Sequence, residues 1–511
     1  MTNATTPHTS STPAADAEGA ALASRNRMAL ILLLAAVFVV FLNETMMGVA
    51  LPKIQESLGI DATQGQWLTT AFALTMAVVI PITGWLMQRL NTRPVFLIAM
   101  STFTVGTLIA ALSPVFEMLV VGRVVQAIGT AIMMPLMMTT VMTIVAPHER
   151  GRIMGRISVV MSVAPAIGPA VSGALLQILP WQGLFWVMFP IAVTMLLIGL
   201  KWVPNVSETR SVPLDVLSVI LSAIAFSTLV YGLSSIGTAA IGTAPVAPWL
   251  PITIGLVVLA VFIWRQIVLQ RTDAALLDLR TFKSRNFTLS IVLLATAMLA
   301  LFGTIIVLPQ FARYTLGLDT IWVGVMLLPG GLVMGLLGPT VGRLFDRFGP
   351  RPLIIPGAVV VSTALWIMAF GLGQGSSWIV LFVAYTILCL GLAFLFTPLF
   401  STSLGSVPPK LYSYGSATVA TLQQVAGAAG TAVFVALYAT GLAAAGNVDP
   451  EHPAAAEAAN GSHLAFLAGG IISLVVILVS TLIRRPPMPE GGHGGWAPEE
   501  ATAEATPVDA A

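Results

Sequence analysis

The sequence predicts an all-α polytopic membrane protein of fourteen transmembrane helices, built as two related six-helix halves with an extra helix pair between them. Three observations predict it. The 511 residues are 57% hydrophobic and only 9% charged, against about 25% charged in a soluble protein. Long apolar runs recur along the chain, and lipid accepts helices because they satisfy every backbone group internally. A fifteen-residue stretch near the second span, GWLMQRLNTRPVFLI at 84–98, returns as GRLFDRFGPRPLIIP at 342–356.

The elements follow in order. Residues 1–24 are Ala, Thr, Ser and Pro without an apolar stripe and read as a disordered tail. The first span, 28–50, follows Arg25 and Arg27. A signal peptide competes for this start, since Gly48-Val49-Ala50 resembles a cleavage site, but the run continues to Leu51 and is long enough to cross. Five further spans, 66–88, 94–113, 117–145, 153–178 and 182–203, complete a first bundle over 25–205. Segments 213–236 and 249–269 form the extra pair, within a linker region of 206–284. Spans 287–311, 321–342, 352–373, 377–400, 414–442 and 462–483 make the second bundle, over 285–485. Residues 486–511, rich in Pro, Gly and acids, read as a second tail.

Charge sets the orientation. With the N-terminus in the cytoplasm, 20 of the 23 Lys and Arg fall on cytoplasmic segments. Only Lys53 and Arg313 fall outside, and Arg123 lies within a span. That asymmetry supports an even span count with both termini cytoplasmic, in a cell membrane. The barrel alternative fails because the runs do not alternate.

The repeat aligns Gly84, Arg89, Arg93 and Pro94 with Gly342, Arg347, Arg351 and Pro352, each 258 residues later. Repeated halves around a midplane site are a transporter signature. On the fourth span, GRVVQAIG (122–129) sets Arg123, Gln126 and Gly129 on one helix face. The fifth carries SVAPAIGPAVSG (162–173), where a proline bend and small residues permit close helix packing. The first carries FLNETMMGVALP (41–52).

With these motifs the chain resembles the major facilitator superfamily, in the fourteen-helix drug:proton antiporter branch. The resemblance runs from Arg27 to Arg485. Gly342, Asp346, Arg347, Gly349 and Arg351 match the family's loop motif, which implies a gate made of contacts between helix ends. The first copy, with Gly84, Arg89 and Arg93, departs by Gln88 for the family Asp and Asn91 for Gly. Gly168, Pro169 and Gly173 match the antiporter motif, with Ala164 and Ser172 in place of glycines; the match implies export rather than import. Asn43, Thr45, Gly48, Ala50, Leu51 and Pro52 match the first-helix motif of the branch, with Asn43 where the family has an acid and Glu44 one place on. The resemblance implies a major facilitator fold, a role in proton transfer for Arg123, and proton-coupled efflux of lipophilic drugs and antibiotics, with a proton gradient and no cofactor as the energy source.

Glu44 is the acid that lies deep in a span; the others fall in tails, loops or helix ends. An intramembrane acid needs a partner, a proton or a purpose. Glu44 and Arg123 both lie about 9 Å below the outer boundary at 1.5 Å per residue. They are expected either to compete for a proton or to form a static bridge, while Arg123 has the further option of snorkelling outward. Asn43, Thr45, Gln126, Met47 and Met134 are candidates to line a greasy cavity that suits varied apolar ligands. An ATP-driven pump within this chain is excluded, since no lysine follows a glycine as a P-loop requires. The five histidines offer no metal-spaced pair, and the single cysteine, Cys389, forms no internal disulfide and reads as a packing residue. A membrane enzyme would want more convergent polar groups. A specific metabolite or lipid carrier and a non-transporting sensor remain alternatives. The expected partners are a small lipophilic substrate, protons and the bilayer, with no nucleic acid, and the expected state is a monomer.

Overall fold

The computed structural model describes residues 13–206, 209–210, 212–240, 246–446 and 453–484. Among them are fourteen long helices and no strand. They are α1 Pro13–Leu58, α2 Ala62–Arg89, α3 Thr92–Leu112, α4 Phe116–Ile144, α5 Arg150–Leu175, α6 Gln182–Trp202, α7 Val216–Ala240 and α8 Trp249–Leu269. The second half holds α9 Arg285–Gln310, α10 Thr320–Phe348, α11 Arg351–Gly371, α12 Trp378–Gly405, α13 Tyr412–Ala444 and α14 Ala455–Ser480. All fourteen contain a stretch long and apolar enough to cross a bilayer.

Local sequence places the helix ends. Asp61 accepts the Gln64 N–H at 2.6 Å in a capping box that starts α2. Ser284 and Ser377 cap α9 and α12 by accepting the Phe287 and Ile379 N–H at 3.3 Å each. Gly349 ends α10 at φ 82°, where a side chain is disfavoured. At the matching point of the first half, Asn91 sits at φ −66° and opens α3, so no glycine is needed there. That accounts for one departure of the first loop motif. α1 begins inside the stretch read as a tail. Its early residues, PAADAEGAALA, are mostly alanine behind a proline at the first helical position, and both favour helix. Residues 1–12 and 486–511, the remainder of the two expected tails, lie outside the described residues, as does 485 at the end of the expected second bundle.

Within each half, α3 packs on α4 and α6, and α11 on α12 and α14. Across the halves, α5 packs on α10 and α2 on α13. The extra pair does not lie between the halves as a spacer. α7 rests on both α2 and α13, astride their seam, with Phe226, Val230 and Phe262 packed against Ala77 and the linker residues Leu276 and Leu277. α8 covers α7 and turns large apolar residues such as Val257 and Trp264 outward, as a lipid-facing helix does.

The linkers anchor this pair at the arginine-rich end. Asp215 takes two hydrogen bonds from Arg265, each 2.7 Å. Its carboxyl is held down to about 2, chiefly by those bonds. The buried Gln266 donates to Ser218 Oγ at 2.7 Å and accepts from Leu276 and Leu277 N–H at 2.8 and 3.1 Å. The Trp85 indole of α2 donates to the Val212 carbonyl at 3.1 Å.

Candidate transport site and gates

The site is built on the middle of α1 and the first half of α4. Arg123 is 1% exposed, so it does not snorkel. Its Nη1 donates to Gln126 Oε1 at 3.1 Å and to Asn43 Oδ1 at 3.4 Å. The Phe72 ring of α2 lies 4.0 Å from the guanidinium carbon, a cation–π contact worth up to about 2 kcal/mol where water is excluded. Gln126 is oriented in turn: its Nε2 donates to Thr107 Oγ1 at 2.8 Å, and Thr107 donates to the Phe103 carbonyl at 2.7 Å. This fixes which end of the Gln126 amide faces the arginine.

No Glu44–Arg123 salt bridge forms among the described residues, so the static bridge is absent from this conformation. The position one residue earlier explains why. Asn43, on the site of the family acid, takes the contact with Arg123, and one residue turns Glu44 about 100° away around the helix. Arg123 is still the charge that acts on Glu44 through space. Glu44 Oε2 and Arg123 Nε are both buried without a hydrogen-bond partner. Two complementary orphaned groups on neighbouring helices are costly in a structure that never uses them. They fit a site that rearranges.

The other candidate cavity residues are placed differently. Gln126 is fully buried behind Arg123, on the α3 side. Thr45 turns to the helix interface: its single O–H has the Phe41 and Leu42 carbonyls at 3.1 Å and the Ala164 carbonyl of α5 at 3.4 Å within reach. Met47 and Met134 fill the hydrophobic core rather than an open cavity, as long unbranched side chains do at irregular gaps. The antiporter motif supplies the partner face. Ala164, Gly168 and Ser172 are buried and spaced one helical turn apart; Gly168 abuts Thr45, and Ser172 donates to the Met46 carbonyl at 2.9 Å. Pro169 is exposed, and Gly173 meets open space.

The loop motifs divide into two functions. Arg93 donates to the Leu200 carbonyl at the end of α6, and Arg351 to the Ile483 carbonyl just past α14. These matched arginines tie each loop to the last helix of its own half, where cations favour helix C-termini, and do not cross the seam. Arg347 lies over its neighbour Phe348, and Arg89 ends α2. The seam is crossed by the glycines and by positions 88 and 346. A Cβ on Gly151 of α5 would lie 2.6 Å from the Gly342 carbonyl of α10, and one on Gly84 would lie 3.1 Å from Tyr414 of α13. Asp346 accepts the N–H groups of Gly151 and Arg152 at 2.8 Å each, at the positive start of α5. Gln88 donates to the Lys410 carbonyl and to Ser413. Two hydroxyl pairs that no sequence pattern singles out join the same closure: Ser158 with Thr397 at 2.7 Å, and Thr139 with Ser416 at 3.0 Å. The halves are therefore latched at the arginine-rich end. Towards the other end, Gly173 of α5 and Gly324 of α10 face open space.

Two helical halves latched at one end, with buried charge on one of them, define a secondary transporter rather than an enzyme. The chain belongs to the Major Facilitator Superfamily, whose family model matches residues 33–431. It is 40% identical over 456 residues to the lincomycin resistance protein LmrB of Listeria monocytogenes, covering 88% of this chain and 95% of that one. It is 28% identical over 463 residues to the multidrug efflux pump LfrA of Mycolicibacterium smegmatis, covering 89% and 88%. The human organic anion transporter MFSD10 (TETRAN) shares the fold, with a TM-score of 0.66 and 16% identity over 89% of this chain and 99% of that chain.

Proposed function

We propose that this protein exports lipophilic or amphiphilic small molecules, antibiotics among them, from a bacterial cytoplasm in exchange for protons. In this reading the arginine-rich face is cytoplasmic, both termini lie on that side, the protein acts as a monomer, and no bound cofactor is used. The observation that carries the reading is Glu44: an intramembrane acid with one buried oxygen left without a partner, acted on by the buried Arg123. Desolvation favours a protonated carboxyl and a nearby cation favours the ionised one, so a small shift of either helix loads or releases a proton. Cargo couples if it binds better to one charge state. One charge moving through 100 mV contributes about 2.3 kcal/mol, enough to bias the cycle. The efflux and lincomycin-resistance relatives support drugs as the cargo class.

The test is accumulation of several lipophilic dyes and of lincomycin in cells with and without the protein, each with and without a proton uncoupler. Lower accumulation that the uncoupler abolishes is expected. Equal accumulation, or lowering that survives the uncoupler, contradicts the proposal.

A further inference from the structure

Two glutamines inside the spans are held by specific bonds: Gln126 by Arg123 and Thr107, and Gln266 by Ser218 and the Leu276 and Leu277 N–H groups. Gln423 and Gln424, adjacent near the middle of α13, are not. Both are half-buried, and neither amide has a hydrogen-bond partner among the described residues. Their direction follows from the helix. They stand seven residues, about two turns, after Ser416 and Ala417, so they project from the same side of α13. That side faces the other half: Ser416 Oγ accepts from Thr139 of α4 at 3.0 Å, and a Cβ on Gly84 of α2 would lie 3.3 Å from Ala417. Ala420, one turn beyond, still packs with Phe72 and Met76 of α2 and Ala127 of α4. Burial marks where this contact ends. Every residue from Leu411 to Thr421 is buried, and then residues 422–425, one whole turn, are all half-buried. The two amides therefore stand about 10 Å beyond the latch, where α13 leaves the seam.

We propose that Gln423 and Gln424 are the hydrogen-bonding contact of the second half for cargo, and that they recognise neutral amide- or hydroxyl-bearing amphiphiles, an assignment that rests on the export reading above. Unmade amide bonds inside a span are costly against lipid, and such groups face a water-filled cavity or a partner. An amide offers N–H donors and a carbonyl acceptor and carries no charge. The pair therefore meets polar groups of either kind without adding to the charge that Glu44 and Arg123 carry on the first half. Counting outward from Gly84 brings Gln424 level with Ala77 of α2, about 7 Å inward of Phe72. Phe72 in turn covers Arg123. A molecule lying along this stretch meets the amides at one end and the Phe72–Arg123 site at the other, so cargo and the proton site share one space.

The test is binding to the purified protein in nanodiscs. The probes are lincomycin, which carries an amide and several hydroxyls, and tetraphenylphosphonium, an apolar cation with no hydrogen-bonding group. Methionine keeps the length of glutamine without its amide. Gln423→Met and Gln424→Met should each weaken lincomycin binding by about threefold to tenfold, the loss of one net hydrogen bond, and should not weaken tetraphenylphosphonium. A second measurement reads the position of the side chains directly. In a Cys389→Ala background, Gln423→Cys and Gln424→Cys should react with a charged, membrane-impermeant methanethiosulfonate, and lincomycin should slow the reaction. Thiols that stay unreactive at both positions, lincomycin binding at the parent level in both methionine variants, or equal weakening of the two probes overturns the assignment and leaves drug export standing. A parent protein that binds neither probe contradicts the export reading and this assignment with it.

Discussion

Arg123 is a buried cation whose hydrogen-bond partners are both neutral amides, Asn43 and Gln126. A buried cation with no acid in hydrogen-bonding contact is costly, and such residues inside spans mark proton and substrate pathways. If its charge is what tunes Glu44, Arg123→Lys keeps partial transport and Arg123→Ala loses it. Near-normal export by both, measured as dye efflux from loaded cells, would end that role. The sequence made Glu44 and Arg123 legible because ionisable residues are rare inside spans, and their depth follows from residue counting. It did not make their azimuth legible. Depth alone pairs Glu44 with Arg123, while the helix turn gives the contact to Asn43. The signal was present, since Asn43 stands at the acid position of the motif that the first span resembles. Phe72 and Thr107 had no such signal: their part depends on how α2 and α3 lean against α4.

At the scale of the element, the spans were legible because lipid demands long apolar runs, and the loop copies because their spacing repeats. The station of α7 and α8 across the α2–α13 seam was not, since it depends on long-range packing of Phe226 and Phe262 with residues about 150 positions away or more in sequence. The first motif's departures became intelligible only with partners in view: Asn91 starts a helix, and Gln88 meets a carbonyl. Asp215, the acid just before α7, is bound into its element by Arg265. Arg265 holds its carboxyl down from 3.8 to about 2. A depressed acid contributes stability above its unfolded value and loses it as pH falls through the folded one, here between 3.8 and about 2. It therefore stays ionised through the working range. Asp215→Asn should lower the thermal unfolding temperature while leaving the pH optimum of export in place. A shifted optimum would place Asp215 on the coupling path.

For the whole molecule, the 20-to-2 distribution of loop cations predicts which face is inside. Reporter fusions at Ala240 and Ala455 should both report the outside of the cell; a cytoplasmic signal from either would overturn the assigned orientation. The central claim is that Glu44 carries the coupling proton through a carrier latched alternately at its two ends. Its direct measurement is export driven by a pH gradient in proteoliposomes, with Glu44→Gln beside the parent and thermal unfolding of both. Glutamine keeps the size and hydrogen bonding of the side chain but does not titrate. Because Arg123 already rests on Asn43, Gln126 and Phe72, Glu44→Gln should unfold near the parent temperature, rather than losing the roughly 3–5 kcal/mol that breaking a buried ion pair removes. The account predicts a stable protein that no longer concentrates cargo against its gradient. A stable Glu44→Gln protein that still does so would contradict it.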